Sequence, residues 1–276
     1  MTMIRPVVLA GGDGSHVHPS SSPATPKQFQ PLFDEDSPFQ DTMERVNGPE
    51  FSSPLVFAPQ ALAGLVQEQC DEIALEYEAL LLEKAGSQKA ASIVTAALWA
   101  EKRGETNPLL VCPADHYIAD PYAFMRAVGD AIHTAQQGYL VAFGTVADRA
   151  QGDYGYLEVG LRLHTEYSGH HVECFMNKPG TEQAEALLAQ GRFVWNTGIV
   201  CFTPDIVLAE IEKCNPHYLA ACRQMLEGGD LLDYAVCSDL SLEQVMLEHS
   251  GNLAVVSLLS AWSDLENIHR LELMGE

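Results

Sequence analysis

Short apolar runs alternate with amphipathic stretches along the 276-residue chain. Residues 6–10 (Pro6-Val7-Val8-Leu9-Ala10) form an apolar run of strand length. The pattern predicts a helix over 37–46 with Ser37 as its cap, a strand over 55–58, and a helix over 59–72 with apolar positions at 62, 65 and 66. Leu80-Leu81-Leu82 reads as a short buried strand, 90–100 as an Ala-rich helix and 108–112 as a further strand. A strand covered on both faces is apolar throughout, whereas a half-exposed one alternates. These runs therefore predict a mainly parallel sheet with helices on both faces, an α/β architecture whose ligands lie beyond the carboxyl ends of the strands.

Residues 121–137 predict a helix with Phe124, Val128 and Ile132 on one face and Gly138 as its stop, followed by an inner strand over 139–144. Between 153 and 202 the pattern changes to alternation, at 154–159, 171–176 and 193–202. Antiparallel or mixed strands that close one side of the sheet are expected there. Helices follow over 206–213, 216–226 and 241–248, then a strand over 253–256 and a last helix after Trp262. Without internal repeats or a long charged linker, one domain over 1–276 is the expectation.

Charge narrows the partners. Fifteen Lys and Arg against 38 Asp and Glu give a net charge of −23, which argues against nucleic acid or an anionic membrane as a partner. A small anion could still bind where the few cations and a divalent metal converge. The seven cysteines (Cys70, Cys112, Cys174, Cys201, Cys214, Cys222, Cys237) are scattered with no C-x-x-C pair, so reduced, mostly buried thiols are expected. The N-terminal apolar run is too short for a signal peptide and nothing approaches a membrane span, so a cytoplasmic location is expected.

Candidate chemistry begins where the first strand ends. Gly11-Gly12-Asp13-Gly14 places three glycines in four positions, and backbone N–H groups free of Cβ crowding can approach an anion closely. A plain strand-to-loop turn would look the same, since the spacing is neither that of the Walker loop nor G-x-G-x-x-G. Lys27, just after Pro26, adds the cation that a phosphate cradle needs.

Taken together, Leu9-Ala10-Gly11-Gly12 with Pro26-Lys27-Gln28-Phe29 resembles the opening LAGGSGTRLWP…PKQF of the sugar-1-phosphate nucleotidyltransferases, most closely the mannose-1-phosphate guanylyltransferases. Further blocks follow in the same order: 39–46 is similar to LLQDTLERV, 112–116 to PSDH, and 143–144 with 154–156 to FGI and GYGYI. Lys178-Pro179 resembles EKP, 195–198 resembles WNSG and 262–264 resembles WSDVG. The resemblance implies a Rossmann-like, mixed but mainly parallel sheet of the nucleotide-diphospho-sugar transferase type. It implies a nucleotide-binding half over about 1–145 and a sugar-binding half over about 146–276. Larger members of the family continue into a β-helix or a cupin-type isomerase domain, and the length of this chain leads us to expect neither.

The reaction implied is attack of a sugar 1-phosphate oxygen, on mannose 1-phosphate in the family's pattern, at the α-phosphorus of a nucleoside triphosphate such as GTP, with pyrophosphate leaving. It needs alignment of two anions and charge neutralisation rather than a general base. By the resemblance, Lys27, His16 and Asp115 take the catalytic positions. Gly11, Gly12, Gly14, Lys27, Glu83, Gly86 and Asp115 line the nucleotide, and Tyr154, Gly155, Asn177, Lys178 and Asn196 line the sugar phosphate. Asp115 and Asp264 would hold Mg2+. From the residues alone, Asp115 and Asp264 could equally be turn or cap carboxylates, Lys27 and Lys178 surface cations, and Tyr154 and Asn196 core or turn residues. His16-x-His18 and His170-His171 lack a companion ligand cluster, so capping or exposed histidines are the expectation. A homodimer is left open.

Four departures from the family pattern fall on these blocks. His16 stands for the arginine of GTR, Asn177 for the glutamate of EKP, and Asp153 for the glycine before YGY. The block GRNTAPA reads Gly86-Ser87-Gln88-Lys89-Ala90-Ala91-Ser92. Imidazole cannot offer a guanidinium fork, and an amide is not an acceptor-only carboxylate. An altered or slowed transferase, or a paralogue that binds nucleotide or sugar nucleotide without turnover as a regulatory or partner subunit, are the alternatives these changes raise.

Overall fold

Along the first strand, β1 (Arg5–Leu9), side chains alternate between two separate cores. Val7 and Leu9 enter one, and Val8 with the following Ala10 enters the other. That double burial is what the uninterrupted apolar run anticipates. The structure, a computed structural model, describes residues 3–11, 24–32, 35–84, 89–228, 231–233 and 250–264.

Four more elements extend the first half. Helix α1 (Pro38–Arg45) begins at a capping box, in which Ser37 Oγ accepts from the Gln40 backbone at 3.2 Å and the Gln40 side chain accepts from the Ser37 backbone at 2.9 Å. Then come β2 (Leu55–Pro59), α2 (Ala63–Glu72) and β3 (Ala79–Glu83). Expected to be buried, β3 is only half-buried from Ala79 to Leu82, because its outer neighbour among the described residues is the two-residue β10 (Leu231–Leu232). Helix α3 (Lys89–Lys102), whose residues 90–100 are all buried, leads to β4 (Leu109–Pro113), β5 (Tyr117–Ile118), α4 (Pro121–Ala135) and β6 (Leu140–Val146).

The second half supplies β7 (Gly155–Arg162), β8 (His170–Met176), α5 (Thr181–Leu188), β9 (Phe193–Phe202), α6 (Pro204–Cys214) and α7 (Pro216–Glu227). After β10 come β11 (Leu253–Ser257) and β12 (Trp262–Ser263). Among the described residues ten strands form one sheet in the order β10-β3-β2-β1-β4-β9-β6-β11-β8-β7. The run from β10 to β4 is parallel, as is β6 with β11, whereas β9 lies antiparallel between β4 and β6. The sheet is thus mixed, as the switch to alternating pattern after 153 anticipates, and β9 threads the second half of the chain into the first. The expected helix over 241–248 and the last helix lie outside the described residues.

Helices α3, α6 and α7 cover one face, and α1, α2 and α4 the other. Trp195, Trp262 and Tyr156 are the largest fully buried side chains, and burying each such ring stabilises the fold by about 2–3 kcal/mol. Cys70, Cys112, Cys201 and Cys222 are buried and form no disulfide among the described residues. Burial pushes the thiol of Cys70 up to about 11 and that of Cys112 up to about 12, which keeps them protonated and unreactive. Among the described residues no helix is long and apolar enough to cross a membrane.

Candidate active site

The parallel strands deliver their carboxyl ends to one rim of the sheet. β1 ends at Ala10 and Gly11, β3 at Glu83, and β4 runs into Asp115. Gln28 fixes the exit of β1 by donating to the carbonyls of Ala10 (3.3 Å) and Gly11 (3.0 Å). The carboxylate of Glu83 accepts from Ser92 Oγ in the first turn of α3. Its other oxygen lies 3.8 Å from where a Cβ on Gly11 would stand. Gly11 and Glu83 are therefore neighbours, while Gly12, Gly14, His16 and Gly86 lie outside the described residues.

Lys27 sits in a 3-10 turn (Lys27–Phe29) and is only 5% exposed. Its Nζ is 3.1 Å from Asp115 Oδ2 and donates to the backbone carbonyl of Asp264, also at 3.1 Å. One ammonium thus joins three segments far apart in sequence, after β1, after β4 and after β12. Since both aspartates reach that nitrogen at 3.1 Å, the two contacting oxygens stand at most twice that distance apart. Asp264 is held from the other side, where Oδ1 accepts from the Tyr154 hydroxyl at 3.0 Å. The Tyr154 ring packs edge-on to Trp195 and Trp262, with centroids 5.2 and 5.5 Å away.

Electrostatics follow from this packing. Burial alone would raise the Asp115 pKa, yet Lys27, with Lys89 and His116, outweighs it and holds the carboxyl below its usual range. His116, 3% exposed, has no partner for Nδ1 among the described residues and packs edge-on to Trp262. Burial pushes its imidazole down to about 3; Asp115 opposes, while Lys89, Arg45 and Lys27 push the same way. Arg45, at the end of α1, donates Nη2 to the His116 carbonyl at 3.2 Å and so anchors the turn that presents Asp115.

The sugar-side residues sit on the neighbouring strands. Gly155 in β7 is paired with Asn196 in β9, whose Oδ1 accepts from the Gly198 backbone at 3.3 Å. A Cβ at Gly155 would stand 3.1 Å from the Phe175 ring and 3.4 Å from Asn196. Asn177 and Lys178, by contrast, are exposed just beyond β8. Lys178 holds a left-handed backbone, φ +45°, immediately before Pro179, where the ring disfavours anything but extended geometry. Behind this turn, Gly180 N donates to the Gly152 carbonyl at 3.2 Å, and a Cβ on Gly152 would stand 2.7 Å from backbone atoms of Gly180 and Thr181.

Sequence reasoning missed Gln28, Ser92, Arg45 and Gly152, and gave His116 no role. Gln28 and Arg45 lie inside the blocks PKQF and DTMERV, so adjacency to Lys27 and a lone arginine closing a helix were the available signals. Nothing in the sequence marks Ser92 or Gly152. His170 Nδ1 lies 2.6 Å from the Ser168 carbonyl, and His171 stands 3.8 Å from Glu173, in keeping with structural histidines.

With this geometry in hand, comparison with known proteins is decisive: the pattern describing nucleotidyl transferases matches residues 5–272. The chain belongs to the nucleotidyl transferase family. It is 35% identical over 276 residues to a mannose-1-phosphate guanylyltransferase of Klebsiella pneumoniae, an alignment covering 95% of this chain and 58% of that protein. With the mannose-1-phosphate guanylyltransferase ManC of Salmonella typhimurium the identity is 36%, over 96% of this chain and 58% of the relative. The chain therefore spans somewhat over half the length of these curated relatives. Among solved structures, a Thermus thermophilus protein described as a mannose-1-phosphate geranyltransferase superposes with a TM-score of 0.87 at 28% identity, covering 99% of this chain and 79% of that one. Family membership accounts for the mixed sheet.

Proposed function

We propose that this nucleotidyl transferase carries a nucleotidyl group from a nucleoside triphosphate, GTP in the first instance, to a sugar 1-phosphate, mannose 1-phosphate in the first instance. The products are pyrophosphate and a nucleotide sugar. The observation that carries the reading is the meeting of Lys27, Asp115 and Asp264 at the carboxyl rim of the parallel strands. The choice of base and sugar rests on the names of the relatives aligned along almost the whole chain.

In this mechanism an oxygen of the sugar phosphate, largely dianionic near pH 7, attacks the α-phosphorus and pyrophosphate departs opposite it. The protein's task is to align two anions and to offset their charge. Gln28 holds the end of β1 in place at this rim by donating to the Ala10 and Gly11 carbonyls. Lys27 orders Asp115 and the backbone of Asp264 around a single point. Tyr154 orients the Asp264 carboxylate, while Asn196 and Gly155 shape the sugar side.

Among the described residues no group of three or more His, Cys, Asp or Glu forms a ready-made metal cage. Two carboxylates nevertheless suit Mg2+, which keeps several waters and takes phosphate oxygens as ligands instead of requiring an all-protein shell. Asp115 and Asp264 would hold it. The ion would supply charge neutralisation at the phosphates. Buried free thiols fit a reducing compartment, hence a cytoplasmic setting. No observation favours the alternative of a paralogue that binds without turnover.

The test is pyrophosphate release from a panel of nucleoside triphosphates and sugar 1-phosphates with Mg2+. Turnover is expected with at least one pair and should be lost in Asp115→Asn; release with no pair would overturn the reading.

A further inference from the structure

Helix α2 turns Val66, Gln69 and Cys70 inward, the spacing of one helix face, and Gln69 is the polar member of that buried set. The core on this side contains Phe29, Phe39, Val66 and Cys70, so an apolar side chain would complete the face without stripping an amide of its water. A buried amide has to recover that hydration through hydrogen bonds, and where they lead shows what the glutamine does.

They lead to the turn that carries Lys27. Gln69 Nε2 donates to the Phe29 carbonyl at 2.9 Å, and Gln69 Oε1 accepts from Ser37 Oγ at 2.6 Å. A carbonyl can only accept, so the amide nitrogen has to face Phe29 and the amide oxygen Ser37. The Gln40 side chain, part of the capping box of α1, donates to the Gln69 backbone carbonyl at 3.3 Å. Gln69 is thereby locked to the start of α1 on one side and to the 27–29 turn on the other. That turn is a single piece of 3-10 helix, with Phe29 N bonded to the Pro26 carbonyl at 3.0 Å and Gln30 N to the Lys27 carbonyl at 3.1 Å. So short a piece has poor internal bonding and leaves its last carbonyls open; Gln69 closes the one at Phe29. The two residues before Phe29 face the candidate site, Lys27 reaching Asp115 and Asp264 and Gln28 reaching the end of β1. A shift of the turn would move all of these contacts together.

We propose that Gln69, which lies outside every block of the family resemblance, is a positioning residue for the transfer reaction. Its bond to the Phe29 carbonyl sets where the Lys27 ammonium stands between Asp115 and Asp264, and where Gln28 meets the end of β1. The kinetic consequence rests on the transferase reading; the placement of the turn does not. Aligning two anions tolerates displacements well under about 1 Å, so a support one layer behind the site affects the rate without touching substrate.

The experiment compares Gln69→Met, which keeps the side-chain length and deletes both amide bonds, with Val66→Ala, one turn earlier on α2, which weakens the same core and leaves both amide bonds in place. Steady-state pyrophosphate release and amide hydrogen exchange are measured on the full chain. In Gln69→Met, kcat should fall about ten- to hundredfold, as when a partner that orients a reacting group is lost. KM for the sugar 1-phosphate should hold, because Gly155 and Asn196 belong to β7 and β9, and the Phe29 and Gln30 amides should exchange faster. Val66→Ala should melt at a lower temperature yet keep kcat. Wild-type kcat in Gln69→Met, or unchanged exchange at both amides, would overturn the inference and leave the transferase reading intact. So would an equal loss of kcat in Val66→Ala, or a parallel rise in KM for the sugar 1-phosphate, since either would mark general damage to the fold. If the wild type releases no pyrophosphate with any pair, the transferase reading and the kinetic claim both fall; unchanged exchange would then overturn the placement of the turn as well, and faster exchange would uphold it.

Discussion

The Tyr154 hydroxyl donates to Asp264 Oδ1 at 3.0 Å, linking two residues 110 positions apart in sequence. The ring below that hydroxyl is held between Trp195 and Trp262, so the oxygen has little freedom to wander. A carboxylate held by a rigid phenol stays aimed, which suits the metal-holding role proposed for Asp264. Tyr154→Phe keeps the aromatic packing and deletes only the bond. The expected outcome is a modest loss of stability, about 1 kcal/mol, in denaturant melts. Pyrophosphate release should fall on the order of tenfold, with a higher Mg2+ requirement, as for loss of an outer partner of a metal ligand. An unchanged Mg2+ dependence would remove Tyr154 from that role.

How much of this was legible in the sequence varies by element. The parallel strands and their rim were readable because burial on both faces leaves unbroken apolar runs, as at 7–9 and 109–112. Lys27, Asp115 and Asp264 could be named from motifs, and the resemblance already implied that the two aspartates converge on one ion; that Lys27 bonds both was not readable, because it depends on where β1, β4 and β12 end in space. The role of β3 was misread because an apolar triplet says nothing of how short its outer neighbour is. Gly152 left no trace, since the contact requiring glycine is with backbone 28 residues further along.

Lys27 and Asp115 form a pair in which the lysine side chain is 6% exposed and the aspartate side chain 24%. Lys27→Met would leave Asp115 without its principal cation, and breaking such a pair costs about 3 kcal/mol, toward the lower end because Asp115 retains some solvent. The pH dependence fixes the cause. In the wild type the Asp115 pKa is lowered, so its contribution is present above the unfolded carboxylate value near 3.8 and is lost as pH falls below it. In Lys27→Met burial prevails, and protonation relieves an unpaired charge. The gap between the two chains, measured by urea unfolding in chelator, should therefore be widest near pH 7 and narrow toward pH 3. A gap independent of pH would mean that lost packing, not charge, explains the variant.

His116 gives a separate acid signature. Its folded pKa is pushed from 6.5 to about 3, so the folded protein binds fewer protons than the unfolded chain between those values. Stability attributable to this group is complete above pH 6.5 and declines as the solution is acidified, by at most about 1.4 kcal/mol per pH unit. His116→Gln removes the titration while keeping a polar side chain in the space beside Trp262. Unfolding curves in chelator should show the wild type losing ground to His116→Gln from pH 6.5 downward, before carboxylates protonate. Parallel curves across pH 5 to 6.5 would show that this imidazole titrates normally.

The turn carrying Lys178 stores strain that Gly152 helps maintain. A non-glycine residue at φ +45° ahead of a proline costs on the order of 1–3 kcal/mol, and such conformations persist only where the surroundings enforce them. Here the enforcement is a bond from Gly180 N to the Gly152 carbonyl and a backbone approach so close that an added Cβ would stand 2.7 Å from Gly180 and Thr181. Gly152→Ala must push the two loops apart, since the obstructing atoms are main chain and cannot rotate away. Destabilisation of about 1–3 kcal/mol is expected, as for overpacking at a tight contact. If Lys178 meets the sugar phosphate, releasing its turn should raise KM for the sugar 1-phosphate severalfold while KM for the triphosphate holds, because Gly11, Lys27 and Asp115 belong to other segments. The steady-state comparison reads both constants from one enzyme preparation. Equal rises in the two would place the damage in the fold as a whole, and no rise in either would detach the 178–180 turn from the sugar site.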